Sequence, residues 1–179
     1  SSQVERCNEI LKRLTLNPVE EDEFIDKDIS MKDYLSEIIT SFKEISQKKF
    51  IFNHDQFSNQ KKITKSIEIV YGLRNFIGNA NKFSKDKIHI TLKSDSEITE
   101  ITIEDDGNGY PKDVLSKIGE PYLRTKDPID KSKTGLGLGL FIGKTLLEKN
   151  FASINCRNSK TRSGAEVIIK WNNKDLFNI

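Results

Sequence analysis

Apolar residues recur at three different spacings along the 179-residue chain, and each spacing predicts a different kind of element. Near the start, Val4, Cys7, Leu11 and Leu14 are separated by 3, 4 and 3 positions, the a/d seam of two heptads. This predicts a helix over residues 2–16 that Asn17-Pro18 ends. Two domains follow from it: residues 1–17 as the tail of a longer, dimeric helical element, and residues 18–179 as a separate folded unit. From Phe24 the spacing becomes mixed. Phe24–Ile29 and Phe50–Asn53 read as short strands. Between them, Ser30 followed by Asp33 is a helix-start signal, and Met31, Leu35, Ile38, Ile39, Phe42 and Ile45 form one apolar stripe. A second amphipathic helix over 65–83 turns Ile67, Val70, Leu73, Ile77 and Ala80 inward. Period-2 alternation then takes over at Ile88, Ile90 and Leu92 and again at Ile101 and Ile103, with Lys93–Glu97 as the hairpin between them.

A loop with two prolines covers roughly 118–134, and a Gly-rich start leads into a third helix over about 137–149. Two strands, near 152–158 and 165–171, close the sequence, the second alternating Ala165, Val167, Ile169 and Trp171. Helices set among antiparallel hairpins predict an α+β fold: a two-layer α/β sandwich with a mixed, mostly antiparallel sheet, three main helices and one preceding helix.

Composition changes this picture little. Apolar residues make up 35% and charged residues 31%, which fits a water-exposed globular domain, and no apolar run is long enough to span a bilayer. A net charge of +2 gives no argument for direct nucleic-acid binding. Cys7 and Cys156 lie far apart without a Cys-x-x-Cys pair, so neither a disulfide framework nor a zinc site is expected.

Three separated segments carry chemistry. On the second helix, Asn75, Asn79 and Lys82 fall in one narrow arc opposite the apolar stripe. A carboxamide oxygen suits Mg²⁺ and a lysine one turn later suits phosphate, although a solvated helix face looks the same. Next, Asp105-Asp106-Gly107-Asn108-Gly109 follows a strand directly. A carboxylate there can accept from an exocyclic amine such as adenine's, and the glycines let backbone approach a base; an ordinary turn uses the same residues. Last, Thr134-Gly135-Leu136-Gly137-Leu138-Gly139-Leu140 opens a helix. Alternate glycines expose successive N–H groups at a helix N-terminus, an anion site suited to polyphosphate. The spacing matches neither the dinucleotide fingerprint nor the Walker loop.

In this order and spacing the three segments resemble the N, G1 and G2 boxes of the GHKL ATP-binding superfamily (the Bergerat fold), over about residues 20–175. The resemblance implies ATP and Mg²⁺ as cofactors, with Asn79 on the metal and Asn75 and Lys82 facing the phosphates. It implies Phe83 against the base, Asp105 on the adenine amine with Gly107 and Gly109 behind it, and residues 118–134 as a lid with Arg124 and Lys133 as phosphate contacts. The superfamily's hydrolases carry a glutamate four residues before the metal-binding asparagine, and here that position is Asn75. An amide cannot serve as the general base that activates water. The resemblance therefore favours sensor histidine kinases, with a GHKL-type ATPase or a non-catalytic nucleotide-sensing module as the alternatives.

Neither histidine of the chain lies in a phospho-acceptor motif: His54 is followed by Asp55, but Asn59 stands where the motif's proline belongs, and His89 lies on the polar side of a strand. The acceptor is expected on an upstream dimerisation and phosphotransfer domain, with a response-regulator receiver as onward partner and a homodimer in the full-length protein. Glu5–Leu11 and Gly119-Glu120-Pro121-Tyr122 are similar to the RegB/PrrB group of redox-responsive sensor kinases. That similarity implies the cytoplasmic domain of a bacterial inner-membrane kinase and marks Cys7 as a candidate redox cysteine.

Overall fold

A computed structural model describes residues 28–56, 61–64, 66–116 and 136–179, with backbone alone for 136–138. The element order is β1 (Ile29–Ser30), α1 (Met31–Lys43), β2 (Lys49–His54), β3 (Lys62–Ile63), α2 (Ile67–Phe83), β4 (Lys87–Ser94), β5 (Ile98–Asp105), α3 (Lys112–Leu115), α4 (Leu136–Lys149), β6 (Ser153–Asn158), β7 (Ala165–Asn172) and α5 (Asn173–Leu176). The helix expected over 2–16, the residues 24–27 of the first expected strand and the whole of the 118–134 loop lie outside the described residues.

Five strands form one sheet in the order β2-β4-β5-β7-β6, while β1 and β3 pair as a separate two-stranded ribbon. The β2–β4 pair is parallel and the other pairs of the large sheet are antiparallel, which is the mixed, mostly antiparallel sheet expected. Alternation puts every second residue on the helix-covered face. Register then aligns them in rows: Ile90, Ile103, Val167 and Cys156 in one, and Leu92, Ile101, Ile169 and Ile154 in the next. The long helices α1, α2 and α4 cover this face, so the architecture is two-layered. Each fully buried isoleucine or leucine of these rows contributes roughly 1.5–3 kcal/mol.

The helix starts follow their side chains. Ser30 Oγ accepts from the Asp33 N–H at 3.2 Å, and Ser66 Oγ accepts from the Ile69 N–H at 3.5 Å. Two stripe residues are corrected. Ile45 is 80% exposed because α1 ends at Lys43, two residues before it. Ile67 is 60% exposed because it occupies the first turn of α2, beyond the edge of the sheet. Helical periodicity cannot say where a helix outruns the surface it packs on.

The two asparagines of the polar α2 arc do not lie on a solvated face, although Lys82 does. Asn75 and Asn79 are half-buried, because α2 packs on the sheet with one side and on α4 with another. Three glycines let the two helices approach closely. A Cβ on Gly72 would lie 2.5 Å from Leu147 Cγ, one on Gly143 3.2 Å from Asn75 Cβ, and one on Gly139 3.3 Å from Asn79 Oδ1. The helices therefore run antiparallel, which brings the glycine-rich start of α4 beside the last turns of α2.

Candidate functional site

The same alternation that builds the core places a carboxylate on it. Along β5 the inward positions are Thr99, Ile101, Ile103 and Asp105, and Asp105 is 4% exposed opposite Ile88. Its Oδ1 accepts from the Gly107 N–H at 2.8 Å and the Ala165 N–H at 3.3 Å. Oδ2 receives no bond among the described residues, so one oxygen is held and the other is presented. Burial raises the Asp105 carboxyl above the usual carboxylate range, against the lowering effect of those two N–H groups.

Asp106 has the opposite task. Its carboxylate accepts from the backbone N–H groups of Lys85, Asp86 and Lys87 at 2.7–3.1 Å, tying the end of β5 to the turn before β4. Partial burial pushes its carboxyl up, but these N–H groups outweigh it and leave it below the usual range. One neighbour is a structural clasp; the other faces the site.

Glycines make the approach possible. A Cβ on Gly107 would lie 2.2 Å from the Phe83 carbonyl oxygen, so the turn after β5 touches the end of α2. A Cβ on Gly164 would lie 2.2 Å from Asp105 Oδ1 and 2.1 Å from the Asp105 carbonyl oxygen. Gly109 has φ of +76°, a left-handed conformation that favours glycine.

The last turns of α2 supply the second group. Asn79 Nδ2 is buried with no hydrogen-bond partner among the described residues, an unusual condition for an amide. Its carboxamide lies against Gly139, in the first turns of α4. Asn75 Nδ2 donates back to the Tyr71 carbonyl at 2.8 Å, which leaves its oxygen. Lys82 is exposed, its Nζ 5.3 Å from the Phe83 ring centroid. Lys48 braces this end: its Nζ donates to the carbonyls of Asn81 and Ser84, the latter at 2.7 Å, closing the C-terminus of α2.

Asn75, Asn79, Lys82, Phe83, Asp105, Gly107, Gly109 and Gly139 are thus gathered at one edge of the sandwich, with the backbone of Leu136, Gly137 and Leu138 in the first turn of α4. Arg124, Lys133, Gly135 and Cys7 lie outside the described residues. Sequence reasoning missed Gly164, Ala165 and Lys48. A lone glycine before an alternating strand was the signal for Gly164; for Lys48 there was none. His54 ends β2, exposed, and His89 is half-buried on β4; neither lies on a helix.

Residues 64–175 match the model of the family described as "Histidine kinase-, DNA gyrase B-, and HSP90-like ATPase". The chain is 36% identical over 127 residues to the sensor histidine kinase RegB of Cereibacter sphaeroides, covering 63% of this chain and 28% of that protein. It is 31% identical over 87 residues to the sensor histidine kinase CpxA of Escherichia coli K12, covering 49% and 19% respectively. The chain therefore spans less than a third of the length of these relatives. Among solved structures, the catalytic domain of the histidine kinase ThkA superposes with a TM-score of 0.67 at 22% identity, covering 82% of this chain and 94% of that one. The mycobacterial sensor histidine kinase MprB gives 0.65 at 19% identity, covering 82% and 97%. At these identities the structural likeness establishes the fold.

Proposed function

Because the chain belongs to the histidine kinase-, DNA gyrase B- and HSP90-like ATPase family, a family of ATP users, we propose that it is the ATP-binding catalytic part of a sensor histidine kinase. It takes Mg²⁺-ATP and donates the γ-phosphoryl group to a histidine on an upstream dimerisation and phosphotransfer domain, for relay to a response-regulator receiver. In this reading residues 1–17 are the tail of that dimerisation domain, and the whole protein is a homodimer anchored at the bacterial inner membrane. Among the described residues, no helix is long and apolar enough to cross a membrane.

The single observation that carries the reading is the pair of uncommitted polar groups at one edge. Among the described residues, Asp105 Oδ2 is available for the adenine amine and Asn79 Nδ2 is buried without a partner beside the start of α4, so that neither end of this edge is closed by the protein itself. A carboxamide oxygen is a hard donor, and one such ligand suits an ion that keeps waters and phosphate oxygens around it. Asn79 therefore fits Mg²⁺, with Asn75 and Lys82 toward the phosphates and Phe83 toward the base. Mg²⁺, when bound, supplies screening of the polyphosphate charge. The chain's own work is positioning. Asp105 fixes the base, the N-terminal N–H groups of α4 hold phosphate oxygens, and the packed α2–α4 pair sets the distance between the two. In this reading Arg124 and Lys133 of the 118–134 segment, and Gly135 of the glycine-rich segment after it, are phosphate contacts.

Transfer rather than hydrolysis is favoured by Asn75, whose amide nitrogen bonds its own helix and which offers no base for water. The similarity to RegB supports Cys7 as a redox cysteine, a point that oxidation of the full-length protein with and without Cys7→Ser would decide: equal loss of kinase activity in both sinks it. The test of the main reading is thermal unfolding with Mg²⁺ and a non-hydrolysable ATP analogue, followed by addition of an acceptor domain and labelled ATP. Saturating ligand at a hundred times its Kd should add about 2.7 kcal/mol to stability, and label should appear on the acceptor histidine. No thermal shift with an intact fold would refute nucleotide binding. Steady phosphate release without an acceptor would favour the ATPase reading.

A further inference from the structure

The turn that follows Asp105 is held from two sides. Asp106 ties it to residues 85–87. From the other side comes Asn158, the last residue of β6, on a strand that contributes nothing to the nucleotide reading above. The Tyr110 N–H donates to Asn158 Oδ1 at 2.6 Å, and Asn158 Nδ2 donates to the Tyr110 carbonyl at 3.1 Å. One carboxamide thus pairs with both backbone groups of one residue, as a neighbouring strand would. The fit requires Gly109, because a Cβ there would lie 2.6 Å from Asn158 Oδ1 and the backbone is left-handed, φ +76°. Only a carboxamide of this length supplies an acceptor and a donor together; aspartate lacks the donor and serine the reach.

We propose that Asn158 is a positioning residue for base recognition: it fixes the Gly109–Tyr110 backbone and so holds Asp105 in the orientation that reads an adenine amine. The link is short. The Gly107 N–H that orients Asp105 Oδ1 belongs to the same turn, two residues before Gly109. With Asn158 the turn is pinned at both ends; without it, Asp106 and the buried Tyr110 ring still anchor the turn, but the Gly109–Tyr110 backbone loses the side chain that fixes its direction. Asn158 is itself exposed, so water can satisfy the freed Tyr110 groups and the fold should survive its loss. What is lost is the fixed direction of the carboxylate. The inference rests on the adenine-nucleotide reading.

The test measures Kd for ATP and for inosine triphosphate, which has an oxygen where adenine has its amine, by calorimetry with Mg²⁺. The proteins are wild type, Asp105→Asn, Asn158→Ala, Asn158→Asp and the milder Asn158→Ser. Wild type should prefer ATP by about a hundredfold or more, since a site built around a hydrogen bond rejects the analogue that cannot make it. Asp105→Asn should bring the ratio to about one. Asn158→Ala and Asn158→Asp should each shrink the ratio by about tenfold, mainly by weakening ATP, with the thermal midpoint little changed. A structural role alone would weaken both nucleotides equally, and an unchanged ATP-to-ITP ratio in the Asn158 variants, with Asp105→Asn still collapsing it, would overturn this inference alone. If Asn158→Ala does not fold, Asn158→Ser is decided by the same ratio. Absence of ATP binding by folded wild type would overturn both this inference and the reading beneath it.

Discussion

The two ends of β5 carry the same oddity and resolve it differently. Each puts a polar side chain on the core face of the sheet: Thr99, 2% exposed, at the start and Asp105, 4% exposed, at the finish. At the start every bond closes within the protein. Thr99 Oγ1 donates to Asn173 Oδ1 at 2.6 Å, Ser94 Oγ lies 3.0 Å from the same hydroxyl, and Asn173 Nδ2 donates to the Asp95 carbonyl at 2.7 Å. The Asn173 N–H completes the ring on the Glu97 carbonyl at 2.7 Å. At the finish the accounts stay open: one oxygen of Asp105 and the amide nitrogen of Asn79 have no partner among the described residues. A buried polar group that is fully satisfied fixes the fold, while one left open has been kept for something that arrives later.

That contrast breaks most sharply at the carboxylate. Asp105→Asn should weaken ATP by about 100-fold, the loss of a charge-assisted bond, while the ligand-free protein stays folded. Thr99→Val should do the reverse, lowering stability by about 1–3 kcal/mol with ATP affinity unchanged. Calorimetric titration and chemical denaturation on both variants read the two effects separately, and equal loss of binding in the two would erase the distinction between the ends. Next in size, Gly164→Ala should cost about 1–3 kcal/mol of stability and also weaken ATP, because its Cβ is driven against Asp105. Denaturation midpoints with and without nucleotide would show whether both fall.

A smaller effect should come from pH. Asp105 accepts the stronger, charge-assisted bond from an amine when ionised, and its carboxyl is raised by burial, so ATP affinity should decline on acidification at a higher pH than an ordinary aspartate would impose. Stability moves the other way at this residue. The folded state holds its proton more tightly than the unfolded chain, so the ligand-free fold gains as pH falls through the raised value, and ionisation above it costs stability. Asp106, lowered by its backbone partners, contributes stability above the ordinary carboxylate range that is lost as pH falls through its lowered value. Titrations across the acid range, with Asp105→Asn as the variant whose affinity should stay flat, check the sign. The smallest change should be Lys82→Ala: an exposed ammonium is well screened, and ATP should weaken by about threefold, less at high salt.

Part of the open end was legible beforehand, but of the closed end only the hairpin that precedes β5 was. The alternation through Ile101 and Ile103 set the face on which Asp105 lies, and the Ser30 cap marked the start of α1. The α2 arc identified Asn75 and Asn79 but misjudged their setting, since one helix's periodicity says nothing of a second helix packed across it. The glycines of α4 were read as phosphate cradles; Gly143 and Gly139 also let α4 settle on α2, which needs the partner to be seen. The pairings of Gly164 with Asp105, Asn158 with Tyr110 and Lys48 with the end of α2 join positions distant in sequence, and no local pattern encodes them.

Strand β7 is the last of the sheet in sequence yet lies between β5 and β6. It also brings Gly164 and the Ala165 N–H to Asp105. During synthesis, then, β4, β5 and α2 can emerge and pair early, but the slot between β5 and β6 stays empty until β7 leaves the ribosome. A nascent chain halted before β7 would have all three glycine-rich and asparagine-bearing segments and the Gly107 N–H, yet still lack the Ala165 N–H, the second of the two groups that hold Asp105 Oδ1.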